Sequence, residues 1–234
     1  MVNDTSTATR DDLSRLTKKI MVRWLLGLGV VLLLLFLPAG SVRFWEAWLY
    51  CGVLFIPMLF VVRYFVKTDP ALLERRLKWK EEEPEQRTLI KLATGIFFIG
   101  FILPGFDYRY QWSAVPVALV LVSNTLVFLG YLLFFLVLRE NSYASRVIEV
   151  EQGQKVITTG PYAVVRHPLY LGVLVMLLFT PLALGSVWAL LPFLLLVPIV
   201  VFRIIKEEEV LLRELPGYQK YCQQTRYRLV PFVW

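Results

Sequence analysis

Residues 167–202 read HPLYLGVLVMLLFTPLALGSVWALLPFLLLVPIVVF, and they carry no charged side chain apart from a possible charge on His167. One transmembrane helix needs about 20 apolar residues, so this stretch is long enough for two short helices. Pro181, Gly185 and Ser186 interrupt its middle and favour a turn there. We therefore predict a helical hairpin, with antiparallel helices near residues 170–184 and 186–205. A single tilted helix is the alternative.

Four more apolar runs precede this stretch, at residues 20–37, 44–66, 89–106 and 114–138. Of the 234 residues, 57% are hydrophobic, and the mean hydropathy is +0.61. Soluble domains are usually about 45–50% apolar, so the excess indicates a lipid environment. The predicted fold is an all-α polytopic membrane protein with about six transmembrane helices, the last two forming the C-terminal hairpin.

The charged residues flank the apolar runs and form no basic face of their own. Of the 25 Lys and Arg residues, all but Arg43 and Arg109 fall on the side of the N-terminus. The positive-inside rule then predicts a multi-pass protein with both termini in the cytoplasm. We expect a short amphipathic helix within residues 1–19 and a surface helix in the loop 67–88.

The net charge of +7 could indicate a nucleic-acid partner. The placement of the charges beside the spans favours anionic membrane lipids instead, so no nucleic acid is expected. Cys51 lies in an apolar run and Cys222 in a polar tail, which predicts neither a disulfide framework nor a metal site.

The only histidine of the chain lies where a loop enters the predicted hairpin. Residues 160–172 read GPYAVVRHPLYLG, and Pro168 suits the first turn of a helix. His167 and Tyr170 are three residues apart, so they share a helix face. Gly172 permits close approach of another group to the backbone. The segment is either part of a polar site or an interfacial anchor whose polar side chains only contact lipid headgroups.

A second polar group follows the hairpin, at Arg203 and Glu207. These residues are four apart and so lie on one helix face. Ionisable groups at a membrane boundary are costly unless they meet a polar cavity or a partner. The alternative is a helix that leaves the bilayer into solvent, which suits Lys206 and Glu209. Further on, Tyr218 and Tyr221 predict a short surface helix with a packing role.

Taken in order, these motifs resemble the isoprenylcysteine carboxyl methyltransferase family, within a wider group that includes phospholipid N-methyltransferases. The shared pattern is G-x-Y-x-x-x-R-H-P-x-Y-x-G, a helical hairpin, R-x-x-x-E-E and a tyrosine-rich tail ending near a proline. The residues that meet it are Gly160, Tyr162, Arg166, His167, Pro168, Tyr170, Gly172, Arg203, Glu207, Glu208, Tyr218, Tyr221 and Pro231.

The resemblance covers residues 114–234, which we predict to be a methyltransferase-like catalytic region. Residues 1–113 match no motif and are predicted to supply an N-terminal tail and three transmembrane helices. The chain departs from the family at residues 215–217, where Leu-Pro-Gly stands in place of a frequent Phe-Gly pair.

The resemblance implies a cytosolic pocket that binds S-adenosylmethionine. The implied cofactor-binding residues are Lys155, Val156, Ile157, Tyr162, His167, Pro168, Leu169, Tyr170 and Glu207, the first three expected to be strand-like. It also places Arg203 at the methyl acceptor. The predicted catalytic residues are Arg203, Glu207 and Glu208.

The expected acceptor is a lipophilic molecule from the bilayer, such as a prenylcysteine-like carboxylate. Arg203 could hold a carboxylate through two parallel hydrogen bonds. Glu207 would accept hydrogen bonds from the cofactor, and His167 would orient it. An amine acceptor would instead need Glu207 or Glu208 to take a proton. The sequence does not indicate an oligomeric state.

Two other functions stay open at this point. Membrane sterol or enone reductases that use NADPH carry a comparable R-H-P-x-Y segment, but tend to lack the consecutive glutamates after the arginine. A transporter or membrane scaffold is the non-enzymatic alternative, although transporters usually show internal repeats and polar residues near the middle of the bilayer. The chain has no visible repeat, and Ser123 and Asn124 are its clearest polar pair within a span.

Overall fold

The computed structural model describes residues 10–77, 84–144 and 150–234, and this part of the chain is all-helical, without a β-strand. It forms eight α-helices and one short 3₁₀ turn, Gly160–Ala163. The helices are α1 (Arg10–Ala39), α2 (Trp45–Thr68), α3 (Pro70–Arg76), α4 (Pro84–Tyr110), α5 (Val117–Glu140), α6 (Pro168–Ala183), α7 (Leu190–Glu214) and α8 (Tyr218–Gln224).

Four segments of these helices are long and apolar enough to cross a membrane: Asp11–Ala39, Trp45–Thr68, Thr88–Tyr110 and Val117–Glu140. Such a set is typical of an integral membrane protein. Helix α6 is shorter, and α7 carries charges in its second half. The prediction of six spans and the orientation of the termini therefore stay predictions.

The chain reverses direction between α6 and α7, and the two helices pack against each other. The predicted hairpin is thus present, and the single-helix alternative is wrong. Gly185 makes the turn at φ +71°. The buried carboxylate of Asp107, near the end of α4, fixes the turn by accepting a hydrogen bond from the Ser186 hydroxyl and two from Ser113.

Helices α5 and α6 come close enough for their backbones to touch at two glycines. A Cβ on Gly130 would lie 2.9 Å from the Gly172 carbonyl oxygen, and a Cβ on Gly172 would lie 2.8 Å from that of Gly130. The close approach expected at Gly172 is therefore a helix crossing. It fixes the start of α6, where the RHPLY segment lies, against α5.

Three helices can be compared with the sequence-based expectations: α1 differs from them, and α3 and α8 match them. Helix α1 runs unbroken from Arg10, rather than as a separate amphipathic helix and span, because residues 10–26 contain neither Gly nor Pro. The surface helix expected in loop 67–88 is α3, begun by Pro70 and capped by Asp69, whose carboxylate accepts from the Leu72 amide. The tail helix expected around Tyr218 and Tyr221 is α8.

Candidate functional site

A cleft of about 900 Å³, solvent in its mouth included, lies where the start of α6 meets the charged half of α7. Its remaining walls come from residues 141–144, residues 154–157, the 3₁₀ turn and α8. Of the predicted site residues, those that line the cleft are Lys155, Val156, Ile157, Tyr162, His167, Leu169, Tyr170, Arg203 and Glu207. The structure thus brings the histidine and the Arg203–Glu207 pair into one cavity.

Hydrogen bonds connect both hairpin helices at the floor of the cleft. The Tyr170 hydroxyl donates to Glu207 Oε2 at 2.6 Å and accepts from Arg203 Nε at 3.1 Å. Arg203 and Glu207 lie one turn apart on α7, while Tyr170 comes from the first turn of α6. The arrangement therefore holds a cation and an anion side by side at the boundary between apolar and charged segments.

Glu208, predicted as catalytic, does not line the cleft. Its carboxylate accepts from Arg166 Nε at 2.6 Å, from Arg228 Nε at 2.6 Å and from His167 Nε2 at 3.2 Å. Because an ionised carboxylate can only accept, Nε2 of His167 carries the proton in this contact. Glu208 joins the RHP loop to the C-terminal tail, and this contact also orients His167 at the cleft.

The ion pairs keep Glu208 ionised. Burial alone would raise the pKa of its carboxyl, but hydrogen bonds from His167, Arg228 and Arg166 lower that pKa to about 2. Burial would likewise lower the pKa of Arg166, yet its bond with Glu208 raises it. A carboxylate with so low a pKa is a poor proton acceptor near neutral pH, so the geometry supports a structural role.

Tyr162 links the 3₁₀ turn to the opposite walls. Its hydroxyl accepts from Asn141 Nδ2 at 2.9 Å, and its carbonyl oxygen accepts from the Tyr221 hydroxyl at 2.8 Å. Burial raises the pKa of Tyr162 to about 12, so the phenol stays neutral. Tyr218 and Tyr221 line the cleft as well, which adds to the packing role predicted for them.

Two sequence-based expectations change in detail. Residues 155–157 form a wall of the cleft but are not strands, because no neighbouring strand exists in the described chain to pair with them. Pro168 begins α6 and lies outside the lining, next to His167.

Several lining residues were not predicted from the sequence. The additional ones are Asn141, Tyr143, Ala144, Gln154, Arg166, Val210, Leu211, Leu215, Tyr218 and Tyr221. Val210 and Leu211 could have been found from helix periodicity, because they lie three and four residues after Glu207. Nothing in the local pattern marks residues 141–144.

The walls combine groups suited to a charged, ring-containing ligand. Tyr143, Tyr162, Tyr218 and Tyr221 offer aromatic surface, Glu207 offers an acceptor for amino or hydroxyl donors, and Arg203 offers a carboxylate-binding cation. Arg166 and the exposed Lys155 add two further cations to the lining. These groups fit a nucleoside that carries an amino group, with an anionic partner beside it.

Comparison with known proteins bears on residues around this cleft. Residues 119–213 match the model of the isoprenylcysteine carboxyl methyltransferase (ICMT) family, which confirms the resemblance drawn from the motifs. The match begins in α5 and ends one residue before the end of α7. It therefore contains the hairpin, His167, Tyr170, Arg203 and Glu207.

A curated relative points to a second class of enzyme. The chain is 33% identical over 91 residues to the Delta(14)-sterol reductase TM7SF2 of Mus musculus. That segment is 37% of this chain and 22% of the relative, so the chain matches only about a fifth of the length of that protein.

Proposed function

We propose that this chain is an integral membrane methyltransferase that moves a methyl group from S-adenosylmethionine to a lipophilic acceptor, namely a carboxylate of the prenylcysteine type. The observation that carries the proposal is the common cleft of His167, Tyr170, Arg203 and Glu207. The family match over residues 119–213 supports the reaction class.

The residues of the cleft fit the cofactor. Bound S-adenosylmethionine supplies a methyl group already activated by its sulfonium. Glu207 would accept hydrogen bonds from the amino group or ribose, and the tyrosine walls would cover the base. His167, fixed by Glu208, would orient the ligand. Such a site works mainly by positioning the reactants and excluding water.

Arg203 would hold the acceptor. A carboxylate forms its new bond to the methyl carbon as the carbon–sulfur bond breaks, and it loses no proton, so no base is needed. The guanidinium must only orient the attacking oxygens, which its planar fork of donors does well. Tyr170 would in turn fix the guanidinium through its hydroxyl.

The acceptor would reach Arg203 from the lipid. Phe202 and Ile205 flank Arg203 on α7, and they are 37% and 40% exposed on the surface of the bundle. In a membrane such surface faces acyl chains. A prenyl tail could therefore stay in lipid while its carboxylate reaches the cleft.

A reductase that uses NADPH is the second candidate, because the similarity to the Delta(14)-sterol reductase falls on part of this chain. Reductases of that kind tend to lack the consecutive glutamates that this chain carries at Glu207 and Glu208, which favours the methyl donor. A transporter or scaffold would not need an ordered arginine–tyrosine–glutamate contact.

Equilibrium binding separates the two enzyme classes. Purified protein in lipid nanodiscs should bind S-adenosylhomocysteine and not NADPH. Labelled methyl donor should then label one member of a panel of prenylcysteine analogues, fatty acids and phospholipids. Binding of NADPH alone would replace the proposal with a reductase, and binding of neither ligand would end both.

A further inference from the structure

Helix α3 contacts the chain that forms the cleft wall at two points, Ala144 in the lining and Glu151 shortly before residues 154–157, although α3 lies upstream of the family match. Arg76 Nη1 donates to the carbonyl oxygen of Ala144 at 3.3 Å. Arg75 Nη1 lies 3.6 Å from Glu151 Oε2, in an ion pair whose side chains are 18% and 24% exposed. Two adjacent arginines thus hold the chain segment that forms the wall. Arg76 holds it at Ala144, and Arg75 holds it shortly before residues 154–157.

Helix α3 is itself firmly fixed. Leu72 is completely buried, in a cluster that includes Phe65 of α2 and Leu138 of α5. The carbonyl oxygen of Leu77, which follows α3, accepts from Arg23 Nη1 of α1 at 3.0 Å. An arginine on such a support can fix the position of a loop whose described residues, 141–144 and 150–157, form no helix or strand of their own.

The contacts continue from α3 into the cleft. The Arg76 guanidinium lies 4.9 Å from the centre of the Phe134 ring of α5, which restrains its direction. Next to Ala144, the Asn141 side chain accepts from the Tyr143 amide and donates to the Tyr162 hydroxyl. A shift of the 141–144 wall would therefore displace both Tyr143 and the contact to Tyr162.

We propose that Arg75 and Arg76 are positioning residues, which hold the wall formed by residues 141–144 and 150–157 against the hairpin so that the cleft is formed before a ligand binds. This role concerns the shape of the cleft and goes beyond the proposed reaction, although the ligand used to test it rests on the proposed function. A preformed wall raises affinity because binding then costs less conformational entropy.

The expected effect follows from the fraction of molecules with an ordered wall. If loss of one contact leaves about a tenth of the molecules competent, the apparent Kd rises about tenfold. Chemistry at Arg203 should change much less, since neither arginine is among the residues that line the cleft. We therefore expect a rise in KM for the methyl donor with kcat within about twofold of the original value.

The experiment compares two single variants in nanodiscs, Arg76→Ala and Glu151→Gln. Glu151→Gln removes the wall partner of Arg75 and leaves its other ion pair, with Asp69 Oδ1 at 3.8 Å, in place. Lys67→Ala, an exposed cation at the end of α2, is the matched control. The first readout is amide hydrogen exchange at residues 141–144 and 150–157, and the second is the Kd for S-adenosylhomocysteine. Amide hydrogen exchange should rise in the wall for both single variants, and the Kd should rise with it.

Wild-type exchange and affinity in both single variants would overturn the proposal. So would a rise in exchange spread equally over α5, α6 and α7, because that result means general destabilisation. If the unmodified protein does not bind S-adenosylhomocysteine, the proposed function fails, but hydrogen exchange still decides whether the arginines hold the wall.

Discussion

The Nε of Arg203 lies 3.1 Å from the hydroxyl oxygen of Tyr170, across the two helices of the hairpin. The Tyr170 hydroxyl in turn donates a hydrogen bond to Glu207, which lies on the same face of α7 as Arg203. A single phenol thereby sets the relative position of the group proposed to hold the acceptor and the group proposed to hold the donor. The next two predictions separate these roles.

Replacing Arg203 by alanine should abolish most turnover while leaving cofactor binding measurable. The loss should be roughly a hundredfold or more, the usual cost of removing an oriented donor that acts on a reacting group. Single-turnover methyl transfer gives the rate, and binding of S-adenosylhomocysteine gives the Kd. Arg213→Ala, an exposed arginine on the same helix, is the control. Near-normal turnover in Arg203→Ala would refute the role given to that side chain.

Replacing Tyr170 by phenylalanine keeps the ring and removes the shared hydroxyl. A hydrogen bond to a charged group contributes about 1.5–3 kcal/mol, so kcat should fall roughly tenfold to a hundredfold. The Kd of the donor should change less, because Glu207 keeps its own acceptor oxygens. Tyr110→Phe alters an exposed tyrosine far along α4 and should have no effect. Equal kcat in Tyr170→Phe and wild type would show that the hydroxyl positions nothing.

Glu208→Gln should destabilise the fold more than it changes the chemistry. The substitution leaves Arg166 and Arg228 without their anion, and Arg166 is only 8% exposed. We expect a loss of about 3 kcal/mol, at the lower end for a broken buried ion pair because the Arg228 side chain is 39% exposed. Glu209→Gln, whose partner Lys206 is at the surface, is the matched control. Denaturant unfolding in detergent measures both, and equal midpoints would contradict the prediction.

The hairpin and the Arg203–Glu207 pair could be predicted from the sequence because both depend on local spacing. The choice between Glu207 and Glu208 could not. Neighbouring residues point roughly 100° apart around a helix, so only one of the two faces the cleft. Which one does so is decided by Arg166, more than forty positions away, and by the tail.

The contact of α3 with the cleft wall could not be predicted from the sequence either. Arg76 and Ala144 are 68 residues apart, and neither stands in a recognisable motif. Their contact exists because α2 and α5 pack side by side and bring the loops at their ends together. Long-range packing of this kind leaves no local pattern. From the sequence, residues 1–113 could therefore be assigned only a tail and transmembrane helices.

Acid should weaken the fold partly through Glu208. Its pKa falls from an ordinary 4.5 to about 2 in the folded protein. The stabilisation is therefore fully present above pH 4.5 and is lost as the pH falls from there towards 2, because the unfolded state takes up the proton first. The difference in unfolding midpoint between wild type and Glu208→Gln should shrink over this range. A difference that stays constant from pH 6 to pH 3 would refute the assignment.

The crossing of α5 and α6 gives a prediction that depends on packing alone. In Gly172→Ala, the new methyl group would meet the Gly130 carbonyl oxygen at 2.8 Å, so the helices must separate. We expect a loss of about 1–3 kcal/mol, the usual cost of overpacking, although alanine is the better helix former. Gly29→Ala in α1 and Gly95→Ala in α4 are matched controls, because nothing lies within 4 Å of a Cβ at either site. Both controls should be neutral or slightly stabilising in denaturant unfolding.

Since Tyr170 lies only two residues from Gly172, separation of the helices should also lengthen its contact with Arg203 and lower kcat. A Gly172→Ala protein as stable and active as Gly95→Ala would mean that the two backbones do not touch.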